Sequence, residues 1–514
     1  MKTYRTEFHT GFSSIGINPE SVSARNSGLL VDCMNVCITK NGLLGYSPDI
    51  KSILDGDWAF VDSVTGAAVT ITRRWPFPQV FLTDVGLFIG ALEGLYWVSD
   101  YAPLTLYSFG TGAVTWPWSC IAIGKVPAFT SGDAFVYFDD TANAYKVNTG
   151  TGAATDAWKN GWNPPVSACL SRGQVFAVGS KQTTPEAAIA ECRIIRWSEI
   201  GAFRFYDATA TTLRNEAGEM YLTNSDVEQA MCVLPMKNGV IVYGSYSATI
   251  LEPVSAPAPT FKIDRSMSVG IANPLAAAGT DKKHVVIDTD GTLWVISLGL
   301  NSVISEKSIG YSDIFSEMQE GLSIATGKGI ISVVYNPNLE EFYISNGVKS
   351  YLFNDSGLTR IDKAITSYVN MSGSLMSVGL DDRIGLKPLG ATTLVEQGEY
   401  AYIETDTIDF NMSAIKTINS VEIAGSMGPT GQAEVMIKWR NKSSEAWRET
   451  TWRRCSPAGI ARPTVSGKDF RICYRVVPYT GVEINGITVE WQLSDKTSVR
   501  GSYTNVSSLT AKSN

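Results

Sequence analysis

Residues 284–296 constrain this chain most. Two β-branched apolar runs, His284–Ile287 and Leu293–Ile296, flank Thr289-Asp290-Gly291. Asp-Gly between such runs predicts a β-hairpin closed by a tight primed turn, which needs residues that tolerate positive φ. Weaker copies of the second strand recur around Trp97, Tyr145, Trp197, Ile250 and Tyr351. Taken with Trp294, these anchors are separated by 48, 52, 53, 44 and 57 residues. That period suits a four-stranded propeller blade with generous loops.

The rhythm ends near residue 400. Beyond it, Glu434-Val435-Met436-Ile437-Lys438-Trp439 and Ile487-Thr488-Val489-Glu490-Trp491 alternate with period two, the pattern of strands with one buried face. The expected fold class is all-β, a β-propeller with loop insertions plus a C-terminal antiparallel β-sandwich-like domain. Residues 1–50 read as an extended and hairpin segment completing the propeller. Residues 51–400 read as the propeller, with an insertion near 198–235 that holds Ala208–Glu216. Residues 401–496 form the second domain and 497–514 a polar tail. The region 306–324 predicts one short helix, with Ser312 or Asp313 as its N-cap.

Composition agrees. Of 514 residues, 18% are charged and 46 are Gly, which favours β-structure over helical bundles. The length calls for at least two folding units. No apolar run approaches the roughly 18 residues of a membrane helix, and the N-terminus lacks the apolar core of a secretory signal. Synthesis in a cytoplasm without membrane insertion by this chain is expected. Eight scattered cysteines read as reduced thiols. The net charge of −8 is uneven: residues 401–514 carry 14 Lys and Arg against 11 Asp and Glu, leaving −11 on the first 400. An acidic body disfavours sequence-independent nucleic-acid binding, which depends on cations meeting phosphates.

Chemistry is sparse. His9 and His284 are the only histidines, too few for a multi-histidine metal site, and His284 at a strand start reads as structural. No nucleophile elbow, H-E-x-x-H or Walker A stretch occurs. The adjacent pairs Asp139-Asp140 and Asp381-Asp382 read as solvated turns, because neighbours on a strand face opposite ways. The chain is therefore expected to be no enzyme, with no catalytic residue, metal or cofactor. A glycan-binding or depolymerising propeller acting in host recognition is the alternative, since paired carboxylates can come from anywhere in a sequence.

One charge cluster stands out. Between Lys438 and Arg475 lie ten Lys and Arg against three acids, a net +7, with Trp439, Trp447 and Trp452 interleaved. Arg440, Trp447, Arg448, Trp452, Arg453 and Arg454 are the candidate interface residues, because Arg and Trp are enriched at protein–protein hot spots. A solvated surface and a single-stranded nucleic-acid platform are the competing readings.

Two ends of the chain resemble a known family. Ala24-Arg25-Asn26, followed by a strand and Asn41-Gly42-Leu43-Leu44-Gly45-Tyr46-Ser47-Pro48, resembles the opening of the tail nozzle proteins of short-tailed bacteriophages (tail tubular protein B-like, or packaged-DNA stabilisation proteins). Glu404–Phe410, Lys416–Val421 and Trp491–Lys496 resemble the C-terminal β segments of such tail proteins. The resemblance implies a structural virion protein with a propeller core, located in the tail. It implies a ring, usually of six copies, at the end of the DNA channel below the adaptor and portal, retaining the genome and then passing it during ejection. Implied partners are other copies of the chain, the adaptor–portal assembly and tail fibre, spike or needle proteins. Viral DNA would cross the lumen without sequence-specific binding. The resemblance brings no catalytic residue.

Overall fold

The computed structural model describes residues 3–494 apart from 9–16, 21, 40–41, 46–58, 63–65, 71–78, 102–103, 140–141, 151–157, 160, 180–191, 207–216, 224–226, 255–259, 300–302, 338, 363–364, 372–373, 382, 389–399, 429–430 and 478–480. The expected insertion stretch Ala208–Glu216 and the tail 497–514 lie outside the described residues. With 57% strand and one α-helix among the described residues, the protein belongs to the all-β class. The chain divides into two compact units.

Unit 2 comprises residues 50–350 and 363–390. It is a series of small, mostly antiparallel sheets built mainly from strands consecutive in sequence, many of them joined by short turns. Four of them have four strands each. They run Ser119–Ile123 to Ala144–Asn148, Ser167–Ser171 to Gly218–Tyr221, Cys232–Met236 to Thr260–Met267, and Ala277–Gly279 to Ile304–Gly310. A six-stranded sheet contains Gln79–Thr83 through Leu104–Ser108, and a three-stranded one contains Ile365–Met371, Ser374–Asp381 and Arg383–Pro388. The core lies between successive sheets. Phe88, Leu95, Trp118 and Phe129 fill one gap, Phe135, Tyr137, Trp158 and Val175 the next, and Phe176, Trp197, Val242 and Phe261 another. At the first of these, Gly90 is needed for close approach, since a Cβ there would sit 2.6 Å from the Trp118 ring.

First strands of successive sheets, or the residues just before them, are linked by short polar side chains and by backbone hydrogen bonds. Gln79 Oε1 accepts from the Trp118 N–H (2.6 Å), Ser119 Oγ donates to the Ala168 carbonyl (3.2 Å), and Ser167 Oγ accepts from the Val233 N–H (3.2 Å). The Val333 N–H donates to the Leu275 carbonyl (2.9 Å), and Ser367 Oγ accepts from the Val80 N–H (3.2 Å).

The 284–296 hairpin forms, with Val285 opposite Val295 and Ile287 opposite Leu293. Its turn differs from the expected primed type. Only Gly291 has positive φ (80°). The Asp288 carboxylate shapes the loop instead: Oδ1 accepts from the N–H groups of Asp290 (2.9 Å) and Thr292 (2.8 Å), and Oδ2 from Trp294 Nε1 (2.7 Å). Such an Asx-type turn leaves one left-handed position rather than two. The helix is Ser312–Met318, but neither Ser312 nor Asp313 caps it. Tyr311 does so in a left-handed conformation (φ 64°) with no side-chain cap. Burial of Tyr311 and Phe315 fixes the helix start, so packing replaces the capping hydrogen bond.

Unit 1 comprises residues 1–49, 351–362 and 391–514. Here the expected boundaries are corrected, because residues 1–50 pair with the far end of the chain. Thr3–Phe8 lies antiparallel to Val482–Leu493, with Tyr4 opposite Trp491. Val36–Thr39 and Gly42–Gly45 form a hairpin whose second strand joins the same Val482–Leu493. Leu30–Met34 pairs with Ala401–Thr405 and, in parallel, with Gly357–Ile361. The physical reason is aromatic and apolar burial at long range. The Tyr4 and Trp491 rings stack at 4.6 Å, and Trp491 stacks on Phe410 at 4.7 Å.

Candidate interaction surface

The two ends that carry the family resemblance meet in unit 1. Asp406, almost fully buried, accepts from Ser23 Oγ (2.7 Å) and from the Ala24 N–H (2.7 Å). The Arg25 guanidinium bridges Asp409 (3.0 Å) and Asp469 (3.1 Å). Asn26 donates to Asp409 Oδ1 (2.6 Å) while its own Oδ1 accepts from the N–H groups of Asp409 and Phe410. Asn26, Phe410 and Asn411 all have positive φ near 55°, so the two segments interlock through left-handed turns that Asn tolerates readily. Beneath them lies Lys416. Its ammonium donates to the Asp409 (2.7 Å) and Met412 carbonyls, and burial pulls its pKa down to about 8.

The Arg/Trp cluster is carried by three adjacent antiparallel strands, Ala401–Thr405, Asp469–Val477 and Gln432–Arg440. Register places Tyr402, Arg475 and Glu434 in one row, with Glu404, Arg471, Lys438 and Arg440 on the same face. Glu404 is the hub. Its carboxylate takes Lys438 Nζ (2.6 Å), Arg471 Nη1 (3.2 Å) and the Tyr402 hydroxyl (2.9 Å), and it is 5% exposed. Burial works to raise its pKa, but these donors outweigh burial and hold it below the usual carboxylate value. Arg440 pairs with Asp469 (3.0 Å) and Arg475 with Glu434 (2.6 Å). Trp447 lies between the guanidinium groups of Arg440 (4.4 Å) and Arg471 (4.6 Å), and Trp452 lies on Arg475 (4.2 Å).

The six candidate residues therefore separate into three groups. Arg440, Trp447 and Trp452 belong to this internally neutralised layer. Arg448 sits opposite Trp439 and stacks on its ring (5.0 Å), on the other side of the sheet from Arg440. Arg453 and Arg454 are exposed on the short edge strand beside Gln432–Arg440, and their side chains make no ion pair or ring contact among the described residues. The +7 read from residues 438–475 omitted Glu404 and Glu434, which neutralise from outside that window or across the sheet. Arg25 and Asp409 were likewise not singled out, since only non-local pairing brings them to Asp469.

Among the described residues no other chemistry assembles. No group of three or more His, Cys, Asp or Glu positioned for a metal ion is present among the described residues. None of the eight cysteines is in a disulfide, and burial pushes the Cys120 and Cys232 thiols up to about 12, away from reactive thiolate. Asp139 pairs with Lys146; Asp140 and Asp382 lie outside the described residues. His284 is fully buried, its Nδ1 at 2.7 Å from the Tyr243 hydroxyl and its Nε2 at 2.8 Å from the Pro235 carbonyl, and burial lowers its pKa to about 4. It is a neutral link between neighbouring sheets.

No family model matches the chain, and no curated protein matches it. Among solved structures it is similar to one titled "Structure of U3-55K", at 10% identity and a TM-score of 0.37, over 66% of this chain and 98% of that one.

Proposed function

We propose that this protein is a structural subunit of a short-tailed phage virion, a tail nozzle component that assembles with copies of itself and encloses the path of the DNA. The observation that carries the reading is the convergence of its resembling stretches. Ala24-Arg25-Asn26 and Glu404–Phe410 lie some 380 residues apart in sequence, yet they form one interlocked joint, with Lys416 beneath it and Trp491 stacked on Phe410. Short motifs that share one structural task are better grounds for resemblance than scattered matches.

In the same reading the sheets of unit 2 are blades of a propeller. What supports this is a cycle of neighbours. Ser119–Ile123 packs on Ser167–Ser171, and the series continues through the strands beginning at Cys232, Ala277, Ser332 and Ile365, the last of which packs on Gln79–Thr83. Gln79 in turn binds the backbone next to Ser119–Ile123. Unit 2 carries 31 Asp and Glu against 23 Lys and Arg, net −8. Carboxylates facing a lumen would repel phosphates and let a duplex slide.

The test is native mass measurement of the purified chain, alone and with an adaptor–portal complex, together with anisotropy on duplex DNA. A closed oligomer that joins the adaptor and binds duplex weakly is expected. A protein that stays monomeric, ignores the adaptor and binds duplex with micromolar affinity at physiological salt would be incompatible with the reading.

A glycan-binding reading draws on one observation. Trp97 and Tyr107 are cross-strand neighbours and both rings are exposed, 37% and 39%, as a stacking platform for a sugar ring requires. Release of reducing ends from host polysaccharide would favour it.

A further inference from the structure

We propose that the exposed edge arginines Arg453 and Arg454 dock against an acidic face on a second copy of this chain, formed by Asp313 on the Ser312–Met318 helix, Glu320 in the turn after it and Asp290 at the tip of the neighbouring hairpin. This deepens the assembly reading above and rests on it.

Both faces are held rigidly and both carry charge without a partner. On the basic side, Arg453 pairs with Val435 and Arg454 with Glu434, so the two arginines leave opposite faces of the edge strand and can straddle a partner set against that edge. Thr450 fixes the same ribbon upstream: its N–H donates to the Ile437 carbonyl (3.0 Å), and its Oγ1 accepts from the Ile437 N–H (3.0 Å). The Cys455 N–H fixes it downstream on the Ala433 carbonyl (2.8 Å). Three other arginines of the cluster, Arg440, Arg471 and Arg475, are committed to carboxylates within the unit.

On the acidic side, Asp313 and Glu317, four apart, share one face of the Ser312–Met318 helix, and Glu320 lies in the turn that follows it. All three are exposed. Glu317 pairs with Lys349 (2.8 Å), whereas the Asp313, Glu320 and Asp290 carboxylates have no cation within ion-pair distance among the described residues. The hairpin tip is fixed on this segment. Gln319 Nε2 donates to the Asp288 carbonyl (2.9 Å), and a Cβ at Gly291 would lie 2.4 Å from the Ser316 nitrogen. Two different patches of one chain that complement each other make a head-to-tail contact, the kind that closes into rings. Planar guanidinium groups suit carboxylate partners in a way that lysine does not.

The experiment uses the full chain and its own self-association. Mass photometry and sedimentation at about 0.1 M salt should find the wild type above the 55.6 kDa monomer, with assembly weakening as salt rises. Arg453→Glu/Arg454→Glu should raise the concentration needed for assembly at least about tenfold, because like charges would then face each other. Its far-UV circular dichroism should be unchanged, since no side-chain bond within the chain is lost. Asp313→Arg/Glu320→Arg should weaken assembly similarly, and an equimolar mixture or combination of the two swaps should restore it. Restoration supports the pairing. If the arginine swap assembles like the wild type, the docking surface is overturned while the assembly reading stands. If it weakens assembly and the acidic swap neither weakens nor restores it, the assigned counterpart is overturned. A wild type that is monomeric overturns both readings together. If the arginine swap abolishes binding to a short duplex DNA without touching assembly, the row contacts phosphate and the inference fails.

Discussion

Unit 2 and unit 1 are both β-structure, but they are put together by opposite means. In unit 2 the sheets are built mainly from strands consecutive in sequence, and contact between sheets is made by apolar side chains with a few polar links such as Gln79, Ser119 and Ser167. In unit 1 the sheets are stitched from residues 3–45 and 401–493, and a buried polar joint fastens the two ends. Local pairing closes short loops at small entropic cost, while the stitched unit must order its chain ends across several hundred residues. Unit 1 has 19 acids and 19 bases, many of them paired across the joint, whereas unit 2 is net −8. A chain built this way is modular in its middle and cooperative at its ends.

The sharpest way to break that contrast is to remove Asp406. Asp406→Ala removes the acceptor of the buried Thr407 N–H and the half-buried Ala24 N–H, while the exposed Ser23 hydroxyl can turn to water, a loss of about 3–5 kcal/mol if neither N–H finds another acceptor. Hydrogen exchange should speed up in Leu30–Met34 and Ala401–Thr405 while protection in Val126–Thr130 and Gly239–Tyr243 stays as it was. Equal loss in both sets would mean that the two units do not differ in how they are held.

Acid should separate the units next. His284 in unit 2 is neutral when folded, with a pKa near 4 against 6.5 when unfolded. The unfolded chain therefore takes the proton first. Stability is whole above pH 6.5, falls as pH drops toward 4, and loses about 3 kcal/mol in all. Glu404 and Asp409 in unit 1 have pKa values held below the ordinary 4.5 and 3.8, so their contribution is intact above those values and is lost only as pH falls further. Melting curves followed across pH 7 to 3 by exchange in each unit should show unit 2 weakening first. Simultaneous loss would remove His284 as the source.

How much of this could be read beforehand follows from the same contrast. The hairpin at 284–296 and the spacing of Trp97, Tyr145, Trp197 and Ile250 are legible because pairing with a sequence neighbour leaves alternation and turn residues side by side. The all-β class follows from them. The fate of residues 1–50 was not legible. Tyr4 meets Trp491 and Asn26 meets Asp409 through separations that leave no local pattern, and the segment joins unit 1 and not the serial sheets of unit 2. For the Arg/Trp cluster, sequence found the cations but not their anions, because Glu404 reaches Lys438 only through the intervening strand. The helix was found and its cap missed, since Tyr311 starts it by burial instead of by a hydrogen bond.

A smaller effect tests how local unit 2 is. Gly291→Ala must adopt φ near 80° and push against the Ser316 backbone, a cost of about 2–3 kcal/mol by strain and overpacking. The damage should stay within Lys283–Ile287, Leu293–Leu298 and the helix. Exchange that accelerates instead in the Ser119–Asn148 sheet would show that the sheets of this unit are not separable modules.

The smallest expected effect lies in the polar layer of unit 1. Trp447 is half-buried between the guanidinium groups of Arg440 and Arg471, and both arginines keep their carboxylate partners if the ring is removed. Trp447→Ala should therefore cost only about 1–2 kcal/mol, the worth of two partly exposed cation–π contacts. Trp447→Phe should recover part of that. Chemical denaturation monitored by far-UV circular dichroism measures both. A loss as large as that of Asp406→Ala would mean that Trp447 shields the Glu404 hub from water, since exposing those ion pairs would weaken them together. The ring would then be part of the buried joint, and the division of unit 1 into a load-carrying polar core and a surface layer would have to be redrawn with Trp447 inside it.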